Sequence, residues 1–274
     1  MLIEELKRAL KNKTFIIIII TGLIIHSLSF FIEFKQYLFF DFNAEDLKSP
    51  LAQERARYMI SKAFNIYAVW FSILRIYIVA MPIISSLPFS LSYLEDKNQG
   101  VIKYIDARIN HKKYLLTKIF VNGIAGGIAI SLPTIIITIF IFIFFQGSID
   151  DFYGKNVYGG VLASLVTYNF SLYVIFHIFS EFIFGFAYAN IALAVSSVIN
   201  NKVAIVLSPF IFWIGGSMLF SSLGIQYFST ERINQFYLNP SITLQEVFLE
   251  LTFIAVLSVV IFALNAGKRK VYGG

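Results

Sequence analysis

Cysteine is absent from this 274-residue chain, and its histidines number only three: His26, His111 and His177. The first absence removes disulfides, thiol nucleophiles and cysteine-ligated zinc. Charge is also scarce. Asp, Glu, Lys and Arg make up 14% of the chain, against about 25% in an average soluble domain, while 58% of residues are apolar. A soluble fold of this length cannot hide so much apolar surface. With a mean hydropathy of +0.75, the composition is that of an integral membrane protein. Motifs that carry chemistry are missing too: there is no G-x-x-x-x-G-K-[ST] phosphate loop, no H-E-x-x-H and no G-x-S-x-G elbow. Glu4 and Glu5 stand side by side without a histidine cluster, which argues against an intramembrane protease. The chain reads as neither an enzyme nor a cofactor carrier in its own right.

What the sequence does have is long apolar runs. A span needs about 20 such residues to cross roughly 30 Å of hydrocarbon. Six stretches qualify: Phe15–Ile32, Ile66–Leu94, Tyr114–Phe145, Leu165–Ile199, Val203–Leu223 and Val247–Leu264. Three exceed a perpendicular crossing, so tilt, kinks or extension past the headgroups are expected. The first run lacks a small-residue cleavage site and reads as a retained anchor. The expected fold is an all-α membrane protein, one domain over residues 1–274, with six transmembrane helices.

An even number of spans places both termini on one side. That side holds Lys7, Arg8, Lys11, Lys13, Lys97, Lys103, Arg108, Lys112, Lys113, Lys118, Lys202, Lys268, Arg269 and Lys270. The other side holds most carboxylates: Glu33, Asp41, Glu45, Asp46, Glu54, Asp150, Asp151, Glu231, Glu246 and Glu250. The positive-inside rule then makes both termini cytoplasmic. The net charge of +6 is explained by topology, and nucleic acid drops out as a partner.

Between the spans the sequence offers several amphipathic pieces. Leu2, Leu6 and Leu10 recur at four-residue spacing beside Ile3, with Glu4, Lys7, Arg8 and Lys11 opposite. This reads as an interfacial helix among anionic headgroups, or as an ordinary basic flank. The outer loop Glu33–Asn65 contains a charged segment, Gln53–Lys62, with helical character, and reads as a solvated cap. In the inner loop Glu95–Lys113, Val101, Ile102, Ile105 and Ile109 share a helical face behind Gly100, a hinge. That helix either lies on the membrane or fills a groove in a soluble partner. Asn200–Lys202 is a mere turn, and Gly224–Glu246 is either a loop or short helical pieces dipping into the membrane.

Within the spans, His177 and Glu181 are the one ionisable pair, four residues apart on a helix face. Glu181 lies 18 residues before the inner end at Ile199, roughly 27 Å at 1.5 Å per residue. That depth is near the outer headgroups, so the pair is read either as structural and interfacial or as part of a substrate pathway. Arg75 is expected to snorkel to the same interface. Pro82, Pro88 and Pro133 are expected to kink spans. Gly123, Gly126 and Gly127, with Gly215 and Gly216, would permit close helix approach.

The order of these parts carries a resemblance. The stretch Leu87–Phe120, LPFSLSYLEDKNQGVIKYIDARINHKKYLLTKIF, resembles the permease subunit of an ABC-2 type transporter. There the second span runs into an acidic residue, a Gly, a short amphipathic helix and a Tyr-Leu-x-x-Lys lead into the third span. Glu95, Gly100, the helix around Ile102–Ile109, and Tyr114, Leu115 and Lys118 occupy those places here. Phe184–Pro209, FGFAYANIALAVSSVINNKVAIVLSP, is similar to the family's small-residue-rich span, polar turn and fifth span.

The resemblance covers the whole chain in topology. It implies a multi-pass permease in a bacterial plasma membrane, working with two separate ATPase subunits that bind ATP and Mg. A second permease, identical or homologous, would complete the transporter. The amino-terminal helix would be the connecting helix, and Gly100, Val101, Ile102, Ile105 and Ile109 the ATPase-docking coupling helix. The implied activity is export of a hydrophobic or amphipathic substrate such as an antimicrobial peptide, a drug or a lipid. The missing fused ATPase and the short outer segment before the last span disfavour lipid-linked glycan export. A non-transport immunity, sensor or scaffold protein is the competing reading.

Overall fold

The computed structural model describes residues 1–44, 47–147, 160–224 and 242–272, with side chains to 267. Six helices are long and apolar enough to cross a membrane, as the hydropathy runs predicted. A short α1 (Leu2–Leu10) precedes the first span, α2 (Lys13–Leu38). Then come α3 (Pro50–Ala63) and the second span, α4 (Ile66–Ser86). Two short helices, α5 (Ser92–Asn98) and α6 (Val101–Asp106), lead into the third span, α7 (His111–Phe144). The remaining elements are α8 (Ala163–Tyr168), α9 (Phe170–Ser196), α10 (Lys202–Ser222) and α11 (Leu244–Tyr272).

Asparagine sets the start of five of the six spans. Asn12, Asn65, Asn110, Asn169 and Asn201 each accept a backbone N–H of the first turn, satisfying donors that would otherwise enter the membrane unpaired. At α11, Thr243 and Glu246 form a reciprocal capping box.

Two spans differ from their sequence reading. The second stops at Ser86 and does not run on to Leu94; residues 87–91 form turns before α5. Pro88 is the reason: Leu87 still has helical backbone (φ −65°, ψ −37°), but Pro88 has no backbone N–H to continue the ladder. It therefore ends a helix and does not kink one, whereas Pro82 and Pro133 lie inside helices as expected. The fourth span, expected over Leu165–Ile199, is broken at Asn169 (φ −155°, ψ 80°), which caps α9 and leaves α8 as a separate turn. The charged outer segment Gln53–Lys62 is helical, within α3. Most of the outer segment Gly224–Glu246, and the carboxylates Glu45, Asp46, Asp150, Asp151 and Glu231, lie outside the described residues.

The central element is α9, which packs against α4, α7, α10 and α11, while α2 packs on α4 and α7. Its crossing with α7 is close enough to bring backbones together. A Cβ on Gly126 would stand 2.7 Å from the Ser85 carbonyl and 2.8 Å from that of Gly185. One on Gly185 would stand 2.6 Å from the Gly126 carbonyl. Gly22 makes a comparable approach to Pro133. The expectation for Gly215 fails: a Cβ there meets nothing within 4 Å. Of the α10 face, only Ile205, Pro209 and Trp213 are buried, one stripe at four-residue spacing.

Contacts place α1, α5, α6 and the end of α11 at one end of the bundle, hereafter the basic end. Lys118 reaches Glu5, His111 reaches the Ala266 carbonyl, and Lys97 reaches Asn200.

Gly126→Val is expected to disrupt the α7–α9 crossing, at a cost above the 1–3 kcal/mol of ordinary overpacking because the clash is with backbone. Gly215→Ala should be neutral or stabilising by up to about 1 kcal/mol. Thermal unfolding in detergent distinguishes the two, and equal midpoints would refute the close crossing.

Candidate functional site

At the basic end a buried lysine organises its surroundings. The side chain of Lys118 on α7 is fully buried, with Nζ 2.6 Å from Asp96 Oδ2 and 2.9 Å from Glu5 Oε2. Arg8 Nη1 donates to Asp96 Oδ1 at 2.9 Å, and Arg8 also lies 3.4 Å from Glu95. The Tyr114 hydroxyl donates to Asp96 Oδ2 at 3.0 Å, and the Phe89 ring sits 4.8 Å below the Lys118 ammonium. One turn of α7 thus presents Tyr114 and Lys118 together, at four-residue spacing. Burial would push the Asp96 carboxyl up, but Lys118 and then Arg8 outweigh it and hold it below the usual carboxylate range. For Arg8 the order is similar: burial opposes its charge, and Asp96, Glu5 and Glu95 more than restore it.

This network changes the reading of α1. Leu6, Ala9 and Leu10 pack on Phe89, Val121 and Ala125, while Leu2 and Ile3 are exposed. Arg8, expected on the solvated face, instead pins the helix to α5. The sequence reading had noted Glu95 and Lys118 singly but missed Asp96, which makes the closest contact. Its only signal was a position one residue from Glu95.

The α6 segment begins at Gly100, whose φ of +71° is the left-handed conformation that glycine adopts without strain. Its helix covers only Val101–Asp106, so Ile109 lies in the turn beyond. Val101, Ile102, Ile105 and Ile109 are half-buried. Ile102 and Ile105 pack against a cluster that includes Tyr93, Tyr114, Leu115 and Phe262. Much of the apolar face is therefore turned to the chain's own helices. The outward residues are Lys103, Tyr104, Ala107 and Arg108, and Tyr104 is 75% exposed.

His177 and Glu181 lie deep in the bundle. Glu181 is 11 residues past Phe170 and 15 before Ser196, about 16 and 22 Å from the two ends of α9. Both side chains are at most 3% exposed, enclosed by neighbouring helices. His177 Nδ1 is 3.5 Å from Glu181 Oε1, and neither carboxyl oxygen of Glu181 accepts a hydrogen bond among the described residues. Around them stand Trp70, edge-on to His177 at 5.1 Å and bonded to Thr138, and Tyr77, bonded to the Ile130 carbonyl. His26 bridges Ile73 O at 3.0 Å and Thr134 Oγ1 at 3.2 Å, and stacks on Tyr77 at 3.8 Å. In the sequence His26 was counted but given no role, because no ionisable residue stands three or four positions from it on α2. Arg75 is ion-paired to Glu33 of α2 at 2.6 Å instead of snorkelling alone.

No protein-family model, curated protein or solved structure matches this chain.

Two expectations follow from the geometry. Asp96→Asn leaves Lys118 with Glu5 alone and should cost about 3 kcal/mol, the low end for breaking a buried pair. It should also expose the α1–α2 junction to limited proteolysis. Because the Asp96 carboxyl is held below its ordinary value, its contribution is complete above about pH 4 and is lost as pH falls through the lower folded value. Proteolytic resistance that persists in Asp96→Asn would refute the network's role. Separately, Glu181→Leu should raise the thermal midpoint, since it replaces a buried carboxyl without hydrogen bonds by an apolar group of similar size. A lowered midpoint would mean that Glu181 serves packing.

Proposed function

We propose that this chain is the membrane-spanning permease subunit of an ABC-2 type transporter in a bacterial plasma membrane, with both termini cytoplasmic. ATP, with Mg, is bound and hydrolysed on two copies of a separate ATPase subunit, and a second permease, identical or homologous, completes the assembly. The substrate class is hydrophobic or amphipathic, and the direction is export. The observation that supports this reading most is the Lys118–Asp96–Glu5–Arg8 network. It ties α1 and α5 to the first turns of α7, so a force on the adjoining α6 segment is passed to the spans α4 and α7. A loop without such ties would absorb the motion.

On this reading the ATPase meets the outward side of α6, with Tyr104 as the aromatic anchor between Lys103 and Arg108. Burying one large side chain contributes about 1.5–3 kcal/mol, or roughly tenfold to more than a hundredfold in affinity. The test is co-purification of an ATPase with the tagged chain from its native membrane. Tyr104→Asp should leave the permease inserted and folded while reducing the retained ATPase at least tenfold. Ile105→Asp should also perturb the helix itself, because Ile105 packs on the chain's own core. Failure of the unmodified chain to retain any ATPase would overturn the reading in favour of a non-transport membrane protein.

A further inference from the structure

A groove of about 460 Å³ lies between α7 and α11 at the basic end, within the ~300–1,000 Å³ range of small-molecule sites. Its wall on α7 is Leu115, Leu116 and Ile119, and on α11 it is Val259, Ala263 and Gly267. The three α11 residues recur every fourth position and shrink from Val to Ala to Gly toward the basic end. That taper opens the groove where the helices leave the hydrocarbon. Nothing stands within 4 Å of where a Gly267 side chain would begin. Behind the opening, His111 joins the two helices, with Nε2 3.3 Å from the Ala266 carbonyl and Nδ1 2.8 Å from Asp106. The groove is thus a partly open trough between α7 and α11, closed at His111 by these bonds.

The rim is polar and cationic. Asn110 and Lys112 line it, Lys112 is exposed and makes no ion pair among the described residues, and α11 continues past Gly267 through Lys268, Arg269 and Lys270. No carboxylate is among the groove's lining residues, and Asp106 is engaged by His111. A second groove, of about 280 Å³ between α9, α10 and α11, is apolar apart from Ser258 and has no comparable means of reading a headgroup.

We infer that the α7–α11 groove is a binding site for one anionic phospholipid of the leaflet at the basic end, its acyl chain along Leu116 and Ala263 and its phosphate at Asn110 and Lys112. An apolar trough in the hydrocarbon, capped by cations at headgroup depth, matches an amphiphile with a negative head and an apolar tail. The lipid fills the space between the two helices, and its phosphate meets the Lys112 ammonium. This inference is independent of the transport reading, since it uses only the spans and the charge at their ends.

The test uses the full purified chain in detergent, titrated with palmitoyl-oleoyl phosphatidylglycerol or the matching phosphatidylcholine and read by native mass spectrometry. A phosphatidylglycerol analogue with a diazirine in its acyl chain maps the position. The glycerol lipid should be retained at roughly tenfold lower concentration than the choline lipid, and the label should fall on 115–119 and 259–267. Lys112→Glu should abolish the preference between the lipids. Gly267→Leu, which fills open space, should abolish the site for both while leaving the thermal midpoint unchanged or raised; Ala263→Phe serves as a second filling variant. Equal retention of the two lipids by the unmodified chain would overturn the proposal, as would labelling elsewhere or unaltered binding in both filled variants. Efficient disulfide formation between copies at Ala263→Cys in the membrane would also overturn it, by showing that protein covers the groove.

Discussion

The backbone-to-backbone approach of Gly126 and Gly185 is the contact on which the rest of the bundle depends. In hydrocarbon the apolar effect gives helices no reason to prefer one another over lipid, so association rests on close packing and on polar contacts across the interface. The α7–α9 crossing supplies both. With glycine on both helices at the closest point, the axes come near enough for Asn122 on α7 to donate to the Ala189 carbonyl of α9 at 2.7 Å. Ser90, just beyond α4, reaches Asn122 and the same carbonyl. Three segments are thereby fixed at one height, and the positions of α10 and α11 follow from their packing on α9.

Below that crossing the structure retains a charge that burial alone would reject. Lys118 is fully buried, and two carboxylates, a tyrosine hydroxyl and an aromatic face surround it or its partners. Such a network is a poor source of net stability, because desolvation offsets much of the Coulombic gain. Its effect is geometric: α1, α5 and α7 have one arrangement in which every charge is met.

The interior polar cluster follows the opposite logic. His26, Tyr77 and Trp70 are each satisfied by a carbonyl or a threonine hydroxyl, whereas Glu181, beside His177 and within reach of Thr134, makes no hydrogen bond of good geometry. Polar residues in spans are costly and face protein or cavities, not lipid. Here they face protein, on four different helices.

The sequence by itself determined that the chain crosses a membrane with six helices, because apolar run length is a local property and the bilayer fixes the length required. Most span starts were legible to within a few residues for the same reason, although the Asn caps that fix them went unread. Two ends were not, since Pro88 and Asn169 sit inside runs whose hydropathy never drops. The short helix after Gly100 was also legible, but the direction of its apolar face was not. Whether Ile105 turns to a partner or to Tyr93, Tyr114 and Phe262 depends on where α5, α7 and α11 stand. The same holds for the meeting of Glu5, Asp96 and Lys118, separated by up to 113 residues, and for His26 beside Tyr77 and Thr134. Periodicity describes one helix at a time. Which faces meet is decided by the glycines that let α7 and α9 touch, and that is a property of the pair.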